Sequence, residues 1–237
     1  MGIASDLEAG VNRIINSTWD IREGRKVPEM QEIALEGGGV QLDATVLYSD
    51  LSESSKLATD FHRKTAAKVI KSFLYCASRI ISDSGGAITA FDGDRVMGVF
   101  IGDRKNSNSA ICALKINHAV QNIIEPRLLQ QFSSVRDSGF KIRDAVGIDT
   151  GPILAVRSGI RGSNDIVWVG RAPNFAAKLS SIREDRYRSY VSNDVFEHMA
   201  EDAKINGDPP RLMWEPASFE WVEEKWSVHR STWTWTP

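Results

Sequence analysis

A short hairpin signal near the middle of the chain constrains the fold more than any other feature. Two β-prone runs, residues 87–91 and 96–100, are joined through Asp92-Gly93-Asp94. Asp-Gly between two such runs is a strong hairpin signal, because these residues tolerate the backbone angles of a tight turn between strands. The sequence therefore predicts two adjacent antiparallel strands, with carboxylates at the tip of their turn.

The segments around this hairpin alternate between strand-like and helix-like patterns. A buried-strand run at residues 44–48 is followed by apolar residues with a period near 3.6, which predict one long helix over residues 57–81. The later elements are predicted as a helix over 109–124, strands at 141–148, 152–156 and 166–169, and helices over 174–182 and 192–199. This order predicts an α+β sandwich, a mixed, antiparallel-rich sheet with helices on one face.

The first 42 residues are predicted to be an appendage. Leu7, Val11, Ile14 and Ile15 recur at helical spacing, so we expect a short amphipathic helix there. The charged, Pro-containing and Gly-rich segment that follows is typical of an extended linker. We therefore expect an N-terminal helix and linker over residues 1–42 and one compact domain over residues 43–237.

Composition narrows the classes of partner and compartment. The chain has 29 Lys and Arg against 31 Asp and Glu, for a net charge of −2, whereas a dedicated nucleic-acid or membrane-surface binder is usually basic. No apolar run approaches the roughly 18 residues of a membrane span, and the acidic N-terminus does not look like a signal peptide. Cys76 and Cys112 are far apart and lack metal-ligand spacing. We therefore expect a cytoplasmic protein without nucleic-acid or membrane partners.

Two aspartates are candidates for metal binding. Asp50 ends the first predicted strand and Asp94 lies at the hairpin tip, although each also has an ordinary explanation as a helix cap or a turn residue. If the first strand pairs beside the hairpin, the two carboxylates converge, and their repulsion requires a divalent cation such as Mg²⁺ or Mn²⁺. Unpaired N–H groups at the helix start, residues 51–55, suit a phosphate, although an ordinary capped helix explains them equally well. Metal and phosphate sites side by side are what a nucleoside triphosphate requires.

Three segments in order resemble the motifs of class III nucleotidyl cyclases: YSDLSESS (48–55), FDGDRVMGVF (91–100) and VGRAPNFAAKL (169–179). Longer stretches, including ITAFDGDRVMGVFIGD and GIRGSNDIVWVGRAPNFAAKL, look like the pyrimidine nucleotide cyclases of bacterial anti-phage Pycsar systems. The resemblance covers residues 43–235. It implies the class III cyclase sandwich, of ferredoxin-like or palm type.

This resemblance implies roles for five positions. Asp50 and Asp94, with the Leu51 carbonyl, would hold two Mn²⁺ or Mg²⁺ ions per site. Asn174 matches the transition-state asparagine of the family, and Lys178 stands where the family usually has an arginine. A lysine supplies positive charge without the bidentate fork of a guanidinium. Because the family's sites lie between two subunits, a homodimer is also implied.

The positions expected to contact the base follow from the same resemblance. Purine cyclases of the family have polar base-reading residues where this chain has Ala90 and Val167, and losing those hydrogen bonds argues against selective purine recognition. The remaining candidate nucleotide contacts are Tyr48, Arg95, which a surface position on its strand explains equally, and the residues of the helix start, Ser52, Glu53, Ser54 and Ser55.

The function implied is a pyrimidine nucleotide cyclase, with UTP favoured over CTP because uridylate cyclases are the commoner members of that branch. Its cyclic product would activate a separately encoded effector in anti-phage defence. Three alternatives stay open at this point. They are an adenylate or guanylate cyclase with a rearranged base pocket, a palm-like enzyme that makes a dinucleotide or transfers a nucleotide, and a nucleotide-binding regulator that has lost turnover.

Overall fold

A computed structural model describes residues 2–237 of the chain. The helices are α1 (Ile3–Asn16), α2 (Ser54–Asp60), α3 (Arg63–Asp83), α4 (Lys105–Ala119), α5 (Glu125–Gln131), α6 (Ser133–Ser138), α7 (Arg171–Leu179), α8 (Asn193–His198) and α9 (Glu201–Lys204). A short 3₁₀ turn covers Met30–Glu32, and a π-helical segment, Val120–Ile124, joins α4 to α5. None of the helices within residues 2–237 has the length and apolar character needed to cross a membrane.

The strands form one large mixed sheet and one small hairpin. They are β1 (Asp20–Glu23), β2 (Gly38–Leu51), β3 (Ala87–Asp92), β4 (Arg95–Phe100), β5 (Asp144–Ile160), β6 (Ser163–Val169), β7 (Ser189–Ser192), β8 (Ile205–Asn206), β9 (Arg211–Leu212), β10 (Glu215–Trp221) and β11 (Glu224–Ser231). The large sheet has the order β10-β11-β7-β5-β2-β4-β3, with β1 beside β2 and β6 beside β5. The β1–β2 and β5–β7 pairs are parallel and the others are antiparallel, which confirms the predicted α+β class with a mixed, antiparallel-rich sheet.

The central strand β2 sends alternate side chains to two different hydrophobic clusters. Leu47 and Leu51 pack with α3 and α4 on one face of the sheet. Val46 and Tyr48 point the other way, toward the cluster that contains α7. The period-2 geometry of a strand therefore places the larger helices on one face and α7 on the opposite face. Asp50 follows the Val46–Tyr48 alternation and lies on the α7 face.

One glycine sets how closely α7 approaches the sheet. A Cβ built on Gly147 of β5 would lie 2.2 Å from the Ala176 carbonyl oxygen and 2.3 Å from the Ser180 amide nitrogen. Real Cβ contacts are never this short, so only glycine allows the backbone of α7 to rest directly on β5. The position of α7 over the sheet depends on this missing side chain.

The segment predicted as a linker is part of the sheet. Strand β2 begins at Gly38 rather than near residue 44, and the predicted domain boundary at residue 43 falls inside it. Val40 and Leu42 are each 1% exposed, and Ile33 is 2% exposed. Burial of these apolar side chains explains why the chain is ordered here, whereas local composition indicated a solvated linker. The short amphipathic helix is present as α1.

Four other predicted elements have different boundaries. The long helix over residues 57–81 is two helices, because Phe61 has an extended backbone and the His62 ring accepts a hydrogen bond from the Lys64 amide as a new N-cap. The two strands at 141–148 and 152–156 are the single strand β5, in which Gly151 (φ +148°) keeps the pairing with β2 continuous. The helix predicted over 109–124 is α4 plus the π-helical segment.

Candidate active site

Asp50 is buried at the end of β2 and is held by two arginines. Its carboxylate accepts a 2.6 Å hydrogen bond from Arg183, in the loop after α7, and lies 3.8 Å from the Arg95 side chain. Burial raises the pKa of Asp50 above its ordinary value, and this outweighs the lowering by Arg183 and Arg95. The negative charge of Asp94 also acts to raise this pKa, so the two carboxylates are close enough to interact.

Asp94 reaches Asp50 through the pairing of β2 with the hairpin. Register partners Ser49 and Val96 bring the start of β4 beside the end of β2. The Asp94 Oδ2 atom is buried and has no hydrogen-bond partner among residues 2–237. A buried, unpartnered carboxylate oxygen is costly unless a cation or a donor approaches it.

The chemistry of these two carboxylates fits a divalent cation that takes its remaining ligands from another molecule. Both are hard oxygen donors, and the orphaned Asp94 oxygen is free to bind. No group of three or more His, Cys, Asp or Glu side chains gathers within residues 2–237, so side chains alone do not complete a coordination sphere. Mg²⁺ is commonly held by one or two carboxylates plus substrate phosphates. The Leu51 side chain is buried in the core and has no ligand atom, so Leu51 could contribute only its backbone carbonyl.

Arg95 connects the carboxylates to Tyr48. Its guanidinium lies 5.9 Å from the centre of the Tyr48 ring, at cation–π distance, while its Nε faces Asp50. Partial burial raises the pKa of the Tyr48 hydroxyl, with a smaller opposing effect of Arg95. A basic and an aromatic group therefore adjoin the carboxylate pair.

The predicted phosphate-binding helix start has a different geometry. Residue 51 still belongs to β2 and Ser52 is buried, so the helix begins only at Ser54 and has seven residues. Glu53 precedes it with φ +61° and pairs with Lys56 at 2.8 Å. The strand continues one residue past Asp50, which local propensity did not indicate, so the helix starts later than predicted. The Glu53 carboxylate therefore lies at the helix start, where a phosphate was expected. Ser54 and Ser55 form the first turn of α2.

Helix α7 presents Asn174 and Lys178 to solvent. These residues are one turn apart and both are exposed, and the Asn174 amide donates only to the Gly170 carbonyl at 3.1 Å. The Lys178 ammonium makes no hydrogen bond or ion pair within the described chain. The start of α7 is fixed by Arg171, which forms a two-pronged ion pair with buried Asp149. The helix is thus anchored while its candidate catalytic face is unpartnered.

Ala90 and Val167 are not brought together in one chain. Ala90 lies on β3 at one edge of the sheet, and Val167 lies on β6 beyond β5. The order β3-β4-β2-β5-β6 puts about 19 Å between these strands, at ~4.8 Å per strand spacing. Two clefts of about 710 and 640 Å³ occur elsewhere on the chain, and neither is lined by Asp50 or Asp94.

Sequence reasoning missed Arg183, Arg171 and Asp149. Arg183 is 133 positions from Asp50, and its contact is made only because the loop after α7 returns to the end of β2. No spacing motif marks it. Asp149 lay within an apolar strand pattern, where a buried carboxylate indicates a buried basic partner; this was the one available signal.

Comparison with known proteins gives a consistent result. No family model matches the chain. It is 41% identical over 232 residues to the uridylate cyclase of Rhodovulum sp. (strain MB263), covering 98% of this chain and 97% of that protein. It is 37% identical over 236 residues to the uridylate cyclase of Xanthomonas perforans, covering 99% of each. The crystal structure of the adenylyl cyclase CyaB from P. aeruginosa superposes with a TM-score of 0.61 at 20% identity, covering 81% of this chain and 95% of that one.

Proposed function

Because this chain belongs to the uridylate cyclases, nucleotidyl cyclases with the class III fold, we propose that it converts UTP to 3′,5′-cyclic UMP and pyrophosphate. The observation that carries the proposal is the pairing of buried Asp50 with half-buried Asp94, whose buried Oδ2 atom lacks a hydrogen-bond partner within the described residues. Such a pair has a use in binding the cations that accompany a triphosphate.

The reaction is an in-line displacement at the α-phosphorus. The ribose 3′-oxygen forms a bond to this phosphorus, the bond to the α,β-bridging oxygen breaks, and the 3′-hydroxyl proton leaves to solvent. Asp50, Asp94 and the Leu51 carbonyl would hold two Mn²⁺ or Mg²⁺ ions. When bound, these ions supply positive charge that lowers the pKa of the 3′-hydroxyl and stabilises the departing pyrophosphate.

The side chains of α7 supply the other half of the chemistry. Asn174 donates its amide hydrogens to the ribose and the developing negative charge, and Lys178 places an ammonium beside the α-phosphate. Neither group accepts the 3′-hydroxyl proton. Orientation and charge stabilisation account for most of such a phosphoryl transfer, so the chain needs no dedicated side-chain base.

We place each active site between two copies of the chain. Asn174 and Lys178 are exposed, whereas Asp50 is buried on its own sheet. Ala90 and Val167 lie on strands about 19 Å apart in one chain and are also offset along the strand direction, so they flank a single base only if they come from different chains. An isologous twofold contact would bring Asn174 and Lys178 of one chain to the carboxylates of the other, and Ala90 of one chain near Val167 of the other. It also creates two equivalent sites.

The base pocket is assigned to a pyrimidine. Ala90 and Val167 provide no hydrogen bonds with their side chains, so the polar contacts that select a purine are missing. Tyr48, with Arg95 over its ring, offers a flat surface beside the carboxylates. The names of the full-length relatives favour uridine over cytidine.

One experiment tests the reaction. Purified protein is incubated with Mn²⁺ and each of ATP, GTP, CTP and UTP, and products are identified by mass and by comparison with authentic 3′,5′-cyclic nucleotides. Cyclic UMP as the main product supports the proposal. A dinucleotide, a purine cyclic nucleotide as main product, or no turnover from folded protein overturns it. Main production of cyclic CMP overturns the assignment to UTP.

The cellular role we propose is second-messenger production in anti-phage defence. The resemblance of the sequence to pyrimidine cyclases of Pycsar systems supports it, and the cyclic nucleotide would act on a separately encoded effector. Cells carrying the gene with its neighbours should resist phage, and an Asp94→Asn allele should abolish resistance. An Asp92→Asn allele, which changes an exposed carboxylate in the same hairpin, is the matched control. Equal phage sensitivity of all alleles would count against this role.

A further inference from the structure

A second buried carboxylate lies outside the candidate active site. Asp144 opens β5, is 1% exposed, and neither of its carboxylate oxygens has a hydrogen-bond partner among residues 2–237. Burial raises its pKa to about 7. Buried carboxylates are rarely left without a donor, because an unpaired polar group away from water is costly.

This carboxylate faces away from the catalytic pair. Asp144 is the register partner of Leu51, and Ala145 is the partner of Asp50. Because neighbouring residues of a strand point to opposite faces, Asp144 lies on the α4 side of the sheet while Asp50 lies on the α7 side. The two carboxylates therefore open onto different spaces.

Asp144 is among the residues that line a cleft of about 390 Å³. The volume falls in the range of small-molecule sites. The polar and charged residues that line the cleft with it are Gln121, Asn122, Glu125, Lys141, Arg143 and Arg188. Gln121 and Asn122 belong to the π-helical segment, and such segments frequently occur at functional sites.

The neighbouring arginines make their hydrogen bonds to other partners, although the positive charge of Arg188 acts to lower the pKa of Asp144. The Arg188 guanidinium donates to the Glu184 and Asp185 carbonyls at 2.9 and 2.8 Å, which shapes the loop before β7. Arg143 is paired with the Asp185 carboxylate at 2.5 Å. Exposed Lys141, at the rim, makes no ion pair within the described residues. Within residues 2–237, the lining of the cleft thus includes a buried carboxylate with no hydrogen-bond partner and an exposed lysine with no ion pair.

We propose that this cleft binds a small molecule with an N–H donor edge at one end and a phosphate or carboxylate at the other. The donor edge bonds Asp144, and the anionic group reaches Lys141 at the rim. A nucleotide with an amino-bearing base and an amino acid with a guanidinium both have this chemistry, and the test separates them.

Calorimetric titration of the full-length protein in EDTA tests the proposal, because removing divalent ions suppresses triphosphate-type binding at Asp50 and Asp94. The probes are GMP, CMP and arginine, which carry donor edges, and UMP and inorganic phosphate as controls. Uracil presents one N–H between two carbonyl groups, and phosphate has no base. We expect GMP, CMP or arginine to bind at least about 10-fold more tightly than both controls. The strongest probe identifies the ligand as nucleotide or amino acid.

Two variants show where the probe binds. Asp144→Asn should weaken binding of the best probe by at least about 10-fold, since a charge-assisted hydrogen bond is lost. It should fold normally, because it replaces an unpartnered buried charge with a neutral group of the same shape; circular dichroism and thermal unfolding check this. Asp94→Asn should bind the probe as the wild type does. Absence of binding by all three probes, equal binding by the controls, or unchanged binding in folded Asp144→Asn overturns the proposal.

Discussion

The carboxylate end of the sheet and the outer face of α7 are assembled to very different degrees. Asp50 is 6% exposed and its carboxylate is fixed by Arg183 at 2.6 Å. Asn174 and Lys178 are exposed and contact no group of the opposite half. Asp94 is intermediate in exposure, and its buried Oδ2 atom has no hydrogen-bond partner among residues 2–237.

This difference shows that one part of a site, the carboxylate pair, can be formed within a single chain while another part, the α7 side chains, still lacks its partners. The carboxylates repel each other, so they need a rigid sheet and nearby arginines to stay together before a cation arrives. In the proposed mechanism the α7 side chains act only on charge that develops during the reaction, so they need a fixed helix but no partner in the resting chain. The first half is built within one fold, and we infer that the second is completed by association.

The largest effect on turnover is expected from changing the carboxylate pair. Asp94→Asn should reduce cyclase turnover by more than about 1000-fold, because it removes a charged ligand from cations that stabilise the transition state. Initial rates with UTP and Mn²⁺ measure this. Asp92→Asn, with its exposed side chain, should stay within about threefold of the wild type. Comparable losses in both variants would mean that hairpin charge in general, rather than Asp94, matters.

Mixing two inactive variants tests directly whether the carboxylates and the α7 side chains of one active site come from different chains. Asp50→Ala and Lys178→Ala chains, each inactive alone, should regain roughly a quarter of wild-type activity after equimolar mixing and subunit exchange, because half of the dimers then have one intact site. Activity of the mixture is compared with each variant alone. A mixture of two differently tagged Asp50→Ala preparations is the control. No recovery in dimers shown to be mixed would place both halves in one chain.

A smaller effect is expected at Gly147, where α7 rests on β5. Gly147→Ala should lower the free energy of unfolding by about 3 kcal/mol, since its Cβ overlaps the backbone of α7. Urea unfolding measures the loss, and turnover should fall because Asn174 and Lys178 move with the helix. Gly10→Ala in α1, where nothing lies within 4 Å, is the matched control and should not destabilise the chain. Equal stability of both variants would contradict the close packing of α7.

The smallest effect, on the pH dependence of stability, is expected at His229 of β11, which is far in sequence from Asp50, Asp94 and α7. Burial lowers the pKa of this imidazole, whose ring stacks on Phe196 at 3.7 Å. The folded chain therefore prefers the neutral ring, and stability falls as pH drops below the ordinary value of 6.5 and the unfolded chain binds the proton first. His229→Phe keeps the stacking without the titration. The stability difference between wild type and variant should change between about pH 7.5 and pH 5.5; a constant difference would refute the assignment.

Local patterns predicted most elements of the sheet and the segments that carry the candidate site. The β3–β4 hairpin and α7 follow from turn chemistry and periodicity, which depend on neighbouring residues only. The errors occurred where burial by distant residues decided the outcome. Val40 and Leu42 become strand because β5 and β1 lie beside them, and the break at Phe61 coincides with its packing against Phe140.

The sequence by itself determined the fold class and the family, because its three motifs lie in order and each depends only on a short stretch of chain. Only the tertiary structure decided which groups meet. It placed Arg183 on Asp50, laid α7 on Gly147, separated Ala90 from Val167, and left the Asp144 carboxylate without a hydrogen-bond partner among residues 2–237. These contacts join positions far apart in the chain, so their energies depend on how the whole sheet packs rather than on any local pattern.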